Sequence, residues 1–178
     1  MTYIKSPMDI EKRSFEIITE ELGDKVKKFT SEELPIVKRV IHTTADFEYA
    51  DLIEFKNDAI ESAIEALKSG CKIYCDTNMI VNGLNKSILS KFGVEAYSLV
   101  GDIEVAKEAT KRGVTRSIVG LEKALKDKDT KIFLIGNAPT ALYTLLENMK
   151  ENMPKLIVGV PVGFVGASES KEELSKYD

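Results

Sequence analysis

The side chain best suited to proton chemistry is that of His42, in the stretch Val40-Ile41-His42-Thr43-Thr44-Ala45-Asp46. It is the only histidine among 178 residues, and imidazole is the group that gains and loses a proton most readily near neutral pH. Acid–base chemistry in this chain therefore falls to His42 or to a carboxylate, cysteine or lysine of perturbed acidity. The alternative is a hydrogen-bonded histidine without a chemical role, beside the apolar Val40 and Ile41.

A second candidate is Gly136-Asn137-Ala138-Pro139-Thr140, which directly follows an apolar stretch. Gly136 permits a tight turn, Asn137 offers both donors and an acceptor, and Pro139 suits a first helical turn. Exposed backbone N–H groups at such a helix start bind anions well. The segment predicts either an anion-binding site or a plain connection between a strand and a helix, and its residues favour neither.

Two more stretches follow apolar strand patterns. Segment 160–168 places Gly163 and Gly166 within an apolar run, which indicates close approach of the backbone to a ligand or to a neighbouring element. Segment 76–80 is polar and is more typical of a solvated turn. Arg116, just past a predicted helix cap, is either directed at the cleft beyond the strand ends or an ordinary surface arginine.

Composition argues against several classes of protein. Hydrophobic residues make up 43% and charged residues 30%, as in globular domains, and a net charge of −4 argues against a nucleic-acid binder that relies on a basic field. Neither common nucleotide-binding glycine motif is present. Cys71 and Cys75 match neither a zinc nor a redox spacing and are predicted core residues. Without a signal-peptide pattern or a long apolar run, the protein is predicted to be cytoplasmic, with no membrane partner.

The pattern of polar and apolar residues predicts helices that alternate with short strands. Helices are predicted at 9–22, from about 30 into the His42 stretch, at 57–69, briefly from 76, and at 102–112, 116–126, 138–150 and 168–176. Strands are predicted at 72–75, 95–100, 131–135 and 155–160. Strands separated by helices pair in parallel through right-handed crossovers. The predicted class is α/β, an open and mainly parallel sheet with helices on both faces, in one domain over residues 1–178.

Six segments together resemble the precorrin-8X methylmutase family of cobalamin biosynthesis, also called precorrin isomerase or cobalt-precorrin-8 methylmutase. They are E-K-R-S-F-E-I-I (11–18), V-K-R-V-I-H-T-T-A-D-F (37–47), C-D-T-N-M-I (75–80), G-V-T-R-S (113–117), I-G-N-A-P-T-A-L (135–142) and G-V-P-V-G-F-V-G-A-S-E-S-K (159–171). They span almost the whole chain in the family's order. One such segment is a weak signal, whereas six in register are a strong one.

The resemblance implies a flavodoxin-like sheet and a homodimer whose active site, near the subunit interface, accepts a corrin-type macrocycle, precorrin-8X or cobalt-precorrin-8. The implied reaction moves a methyl group from C-11 to C-12, giving hydrogenobyrinate or cobyrinate, with no cofactor and no metal held by the protein. The family's catalytic histidine falls on His42, which is predicted to act as a general acid. The predicted substrate-binding residues are Ser14, Asn78, Arg116, Gly136, Asn137, Thr140, Gly163, Phe164 and Gly166.

Two other functions stay open at the level of the sequence. One is a corrinoid carrier that binds the product without catalysing its formation and passes it to the next enzyme. The other is a flavodoxin-like module that binds phosphate or nucleotides through residues 136–140. The family usually continues with a further strand, a basic glycine-rich turn and a final helix, and because this chain stops at Tyr177-Asp178 those elements are expected to be absent.

Overall fold

The computed structural model describes residues 5–177, and within that range it has ten α-helices and four β-strands. The helices, α1 to α10 in chain order, are Pro7–Leu22, Glu33–Thr44, Tyr49–Leu52, Ala59–Lys68, Asn78–Gly83, Lys86–Lys91, Ile103–Arg112, Arg116–Lys126, Pro139–Asn148 and Ala167–Ser175. The strands, β1 to β4, are Lys72–Cys75, Glu95–Tyr97, Thr130–Ile135 and Leu156–Gly159. No helix in the described range is both long and apolar enough to cross a membrane.

The chain divides into two compact units, Met1–Ile60 and Glu61–Asp178. The first contains α1, α2 and α3, and the second contains the whole sheet. The two units are described separately below. The expectation of a single domain over residues 1–178 stays a prediction.

The first unit is a helical cluster whose helix starts follow from local sequence. Ser6 accepts a hydrogen bond from the N–H of Asp9 at the start of α1. Before α2, the backbone N–H of Thr30 donates to the Glu33 carboxylate, and the Glu33 N–H donates to the Thr30 hydroxyl. This reciprocal pair is a capping box. The core between these helices consists of Ile18, Leu22, Val37, Ile41 and Ala50.

The second unit is built on a four-stranded sheet in which every pair of neighbours is parallel. The strand order is β2-β1-β3-β4, which matches the first four positions of the flavodoxin-like order. Tyr74 of β1 is paired in register with Phe133 of β3, and Phe133 with Ile157 of β4. The predicted α/β class with an open parallel sheet is confirmed.

Alternation along the strands sends side chains to both faces of the sheet, as the period of two requires. On one face, Tyr74, Phe133 and Ile135 pack against α8 and α9 through Leu121, Leu125, Leu142 and Leu145. On the other face, Ile73, Cys75 and Ile132 pack with Ala66 of α4 and with side chains of α5 and α6. Helices therefore cover both faces, and Cys71 and Cys75 are buried core residues, as predicted.

Three short elements were not predicted from the sequence: the 3-10 helix Gly23–Lys28, α3 and α6. Each has four to six residues, which is less than two helical turns and too short for an apolar periodicity to show. The Asn85 side chain accepts from the N–H of Ile88 and so caps α6. The sequence before α6 therefore contains a capping residue, although α6 is too short to show an apolar periodicity.

Candidate active site

In the first unit, His42 lies in the last turn of α2 with its side chain exposed to solvent. Its ring meets that of Phe15, on α1, edge to face with the centroids 5.5 Å apart. Within residues 5–177, no hydrogen bond is made to either ring nitrogen of His42. Both nitrogens are therefore available to a ligand.

Asp46 does not orient the His42 ring, although helical geometry extended to residue 46 would have allowed it. The helix ends at Thr44, because Ala45 has a left-handed backbone with φ of 56°. The Asp46 carboxylate instead accepts the backbone N–H of Glu48 at 2.8 Å. Phe15 is the side chain that contacts the imidazole in the described structure.

Cationic side chains surround the Phe15 ring. The guanidinium of Arg39 lies 4.7 Å from the ring centroid and the ammonium of Lys38 lies 5.5 Å from it, distances at which a cation is attracted to an aromatic face. Arg39 is also hydrogen-bonded to Glu11 of α1. These residues line an open groove of about 750 Å³ along α1 and α2. The groove next to Phe15 therefore combines concavity and aromatic area with charges of both signs, because Glu11, Glu16 and Glu20 line it together with Lys12, Lys38 and Arg39.

Ser14 precedes Phe15 on α1 and is partly buried. Its hydroxyl donates to the carbonyl oxygen of Ile10, one turn earlier, at 2.9 Å. This is the usual internal bond of a serine in a helix, and it leaves the lone pairs of the hydroxyl oxygen able to accept from a ligand.

In the second unit, Asp76 directly follows β1 and lies at the carboxyl ends of the strands. Its carboxylate is 1% exposed and accepts the backbone N–H groups of Gly136 at 3.1 Å, Asn137 at 2.8 Å and Ala138 at 2.7 Å. One sequence-based expectation is therefore wrong, and of the two alternatives left open for residues 136–140 the plain connection between strand and helix is favoured. Segment 76–80 does not begin as a solvated turn, and these N–H groups are not open to an external anion, because Asp76 already accepts from them.

The charge of Asp76 also affects its neighbours. Burial, and after it the nearby Asp76 carboxylate, raises the pKa of the Cys75 thiol to about 12. The same two causes, in the same order, raise the pKa of Tyr74. Both side chains therefore stay neutral at physiological pH, so Cys75 is not a thiolate nucleophile.

Arg116 is exposed in the first turn of α8, where it lines an open groove of about 640 Å³. Lys107 and Lys111 of α7 line the same groove, although Lys107 is paired with Glu104 at 2.7 Å. Gly101 is another lining residue, and a Cβ built on it would lie 3.6 Å from the side-chain nitrogen of Asn78. Arg116 therefore lines a basic groove, and Asn78 lies next to Gly101, one of its lining residues.

The other predicted residues of this unit lie at the same edge of the sheet. The hydroxyl of Thr140 is 3.2 Å from that of Thr115, the residue before Arg116. Gly166 has a left-handed backbone with φ of 77°, and a Cβ built on it would lie 3.6 Å from Pro139. Phe164, in the adjacent loop, is fully exposed. The strand ends thus bring together the predicted residues Asn78, Arg116, Gly136, Asn137, Thr140 and Gly166.

The model of the family CbiC, precorrin-8X methylmutase, matches residues 9–178. The chain belongs to this family. The cobalt-precorrin-8 methylmutase of Priestia megaterium is 48% identical over 96% of this chain and 76% of its own length, and that of Salmonella typhimurium is 44% identical over 98% and 84%.

A solved structure agrees with the assignment. The precorrin-8X methylmutase of Thermus thermophilus superposes with a TM-score of 0.85 at 37% identity, covering 96% of this chain and 82% of that one. The family consists of methyl-shifting isomerases of cobalamin biosynthesis, so the chain is an enzyme of that kind. The recognition from six sequence segments is confirmed.

Two residues that shape this methylmutase's candidate site were not predicted to belong to it. Phe15 stood in a quoted segment but carries no reactive atom, and its contact with His42 joins positions 27 residues apart. Asp76 was considered as a turn residue. An acidic side chain directly after an apolar strand was its only signal, and its donors lie 60 to 62 residues further along the chain.

The described part of the methylmutase chain shows no group of three or more histidine, cysteine, aspartate or glutamate side chains arranged to hold a metal ion. Its only histidine and its two cysteines lie in different units.

Proposed function

We propose that this enzyme catalyses the migration of a methyl group from C-11 to C-12 of cobalt-precorrin-8 or precorrin-8X, with His42 as the general acid. Its membership of a methyl-shifting isomerase family supports the reaction class. The names of the relatives at 42 to 48% identity support the cobalt form as the first substrate to test, since each is a cobalt-precorrin-8 methylmutase. Relatives named precorrin-8X methylmutase are 36 and 37% identical.

The observation that carries the role of His42 is its environment. The ring is exposed, has no hydrogen-bond partner within residues 5–177, and is held against Phe15 beside an open groove. A general acid needs a donor that the substrate can reach and an orientation fixed by packing. The exposure of His42 and its contact with Phe15 support this role.

Besides a proton donor, the methyl shift requires few chemical groups from the protein. In the methyl shift the bond from the methyl carbon to C-11 breaks as its bond to C-12 forms, so no atom is gained or lost. Proton donation to the conjugated macrocycle withdraws electron density and stabilises the transition state, and such acid assistance is typically worth about 10²–10⁴-fold. The proton returns to His42 once the methyl group has moved.

The acidic arms of the macrocycle are proposed to bind through the groove lined by Arg116, with Lys111 beside it. Guanidinium groups pair with carboxylates in a two-point geometry that fixes orientation. Ser14, Asn78, Asn137, Thr140, Gly163, Phe164 and Gly166 are proposed as further substrate contacts. We also propose that the enzyme is a homodimer and that it is located in the cytoplasm. Light scattering at micromolar protein concentration tests whether it is a dimer.

The decisive experiment replaces His42 with Asn and follows the change in the corrinoid absorption spectrum. We expect turnover to fall by about 10²–10⁴-fold while the substrate still binds, because the acid is lost and the surface is not. Thr43→Ala is the matched control, since Thr43 is the next residue on the same helix and its hydroxyl bonds only to the Arg39 carbonyl. Turnover of the Asn variant within about tenfold of wild type, a difference of only ~1.4 kcal/mol, rejects the acid role. A wild-type chain that binds the corrinoid without rearranging it is a carrier.

A further inference from the structure

Asp76 lies at the point of the sheet where open α/β proteins usually bind ligands. Strand order β2-β1-β3-β4 places β2 on one side of β1 and β3 on the other, so the chain turns in opposite directions after β1 and after β3. The crevice beyond the carboxyl ends of such a pair is the usual ligand site of the fold. Here Asp76 follows β1, and Gly136 to Ala138 follow β3.

The carboxylate fills that crevice as an anion would. Its two oxygens accept three consecutive backbone N–H groups at 2.7 to 3.1 Å. The residue before α9, Ala138, has no side chain able to cap the helix. Asp76 therefore holds the residues that lead into α9, and its negative charge lies near the positive, N-terminal end of that helix.

This clamp decides how the loop presents its side chains. The N–H groups on both sides of Asn137 are held, while the Asn137 side chain is exposed. Thr140 follows in the first turn of α9, beside Thr115. A Cβ built on Gly136 would lie 3.0 Å from the Ile80 side chain, so the turn is also confined sterically. A loop fixed in this way offers the substrate a preformed set of polar contacts, and preorganisation of this kind increases affinity.

We propose that Asp76 is a positioning residue of the isomerase, which holds Asn137 and Thr140 in the geometry that binds the corrinoid. This rests on the function proposed above. The proposed role lies in substrate binding and not in the methyl shift, so removal of Asp76 is expected to weaken binding and to leave the chemical step alone.

The test measures kcat, KM and the Kd of the corrinoid product for wild type, Asp76→Asn and Asp76→Ala. Asparagine keeps the shape and one acceptor oxygen but directs an amide at the backbone donors. We expect KM and Kd to rise by about tenfold or more in both variants, with kcat within about threefold of wild type, because uniform binding has been lost. In Asp76→Ala, sodium formate should refill the clamp and lower KM in a saturable way, whereas sodium chloride at the same ionic strength should not.

The matched control is Asp127→Ala. Asp127 precedes β3 at the other end of the sheet, where its carboxylate accepts the N–H of Asp129 and pairs with Lys72 at 2.8 Å. Its removal is expected to leave KM and Kd unchanged and to show no response to formate.

Three outcomes overturn the proposal. The first is that KM of the Asp76 variants equals that of wild type while kcat falls only in proportion to the fraction of folded protein. The second is that formate raises the thermal stability of Asp76→Ala without lowering its KM. The third is that Asp127→Ala changes KM and Kd as much as the Asp76 variants do. If Asp76→Ala does not fold, Asp76→Asn alone decides through KM and Kd. If wild type binds the product without turnover, the proposed reaction has failed, and the Kd values still test Asp76.

Discussion

The imidazole of His42 is exposed on a helix of the first unit, where its ring contacts that of Phe15. The carboxylate of Asp76, in the second unit, is buried and accepts three backbone hydrogen bonds. Both are polar groups near predicted substrate contacts, yet within residues 5–177 the imidazole makes no hydrogen bond whereas the carboxylate makes three. A group that must exchange hydrogen bonds with a substrate gains from having none to break, whereas a buried charge is tolerated only when its hydrogen bonds are made.

The largest expected effect is a difference in stability between the two sites. Asp76→Ala leaves three backbone donors of a partly buried loop without their acceptor, and we expect the free energy of unfolding to fall by about 3 kcal/mol. His42→Ala should change it by no more than about 0.5 kcal/mol, as for an exposed side chain. Urea unfolding at pH 7, followed by far-ultraviolet circular dichroism, measures both. Equal losses would remove the contrast between the two sites.

A smaller effect, on binding affinity, is expected when Arg116 is replaced. This substitution tests whether an exposed polar group of the second unit interacts with the substrate, as is proposed for His42 in the first unit. Arg116→Ala should weaken binding of the carboxylate-bearing corrinoid by about tenfold at low salt. The difference from wild type should shrink as salt is added, because ions screen exposed charges. Lys91→Ala, an exposed cation at the end of α6, is the control. Titration by absorbance at two salt concentrations decides, and an affinity equal to wild type at low salt excludes Arg116 from the site.

The smallest expected effect concerns the contact between Phe15 and His42. An edge-to-face aromatic pair is worth about 0.5–1.5 kcal/mol, so Phe15→Leu should lower kcat by about two- to tenfold as the imidazole loses its fixed orientation. Phe29→Leu is the matched control, since Phe29 is partly buried in the same core cluster and has no ring contact with His42 within residues 5–177. In NMR spectra, the ring signals of His42 should show conformational averaging in Phe15→Leu, where kcat falls, and not in Phe29→Leu. Equal kcat values in the two variants would assign Phe15 to the core only.

Much of the fold could be predicted because its signals are local. Thr30 and Glu33 form the capping box expected from their spacing. Gly113 ends α7 in a left-handed conformation, and Thr115 caps α8 where the sequence placed a cap. Apolar runs at β1 and β3 gave strands within a residue of their observed limits. Each of these features depends on residues that are neighbours along the chain.

The site was less predictable for the same reason. The amino-acid sequence by itself determined the α/β class, the order of the elements, the family and the single histidine, since patterning and recognisable segments are properties of the chain read in order. Only the tertiary structure decided that Asp76 occupies the donors of residues 136–138, that Phe15 meets His42, and that Asn78 lies next to Gly101, a residue of the groove that Arg116 lines. Those outcomes join residues far apart in the sequence, and packing selects such pairs through the cost of leaving a buried polar group unpaired, a cost that no local pattern records.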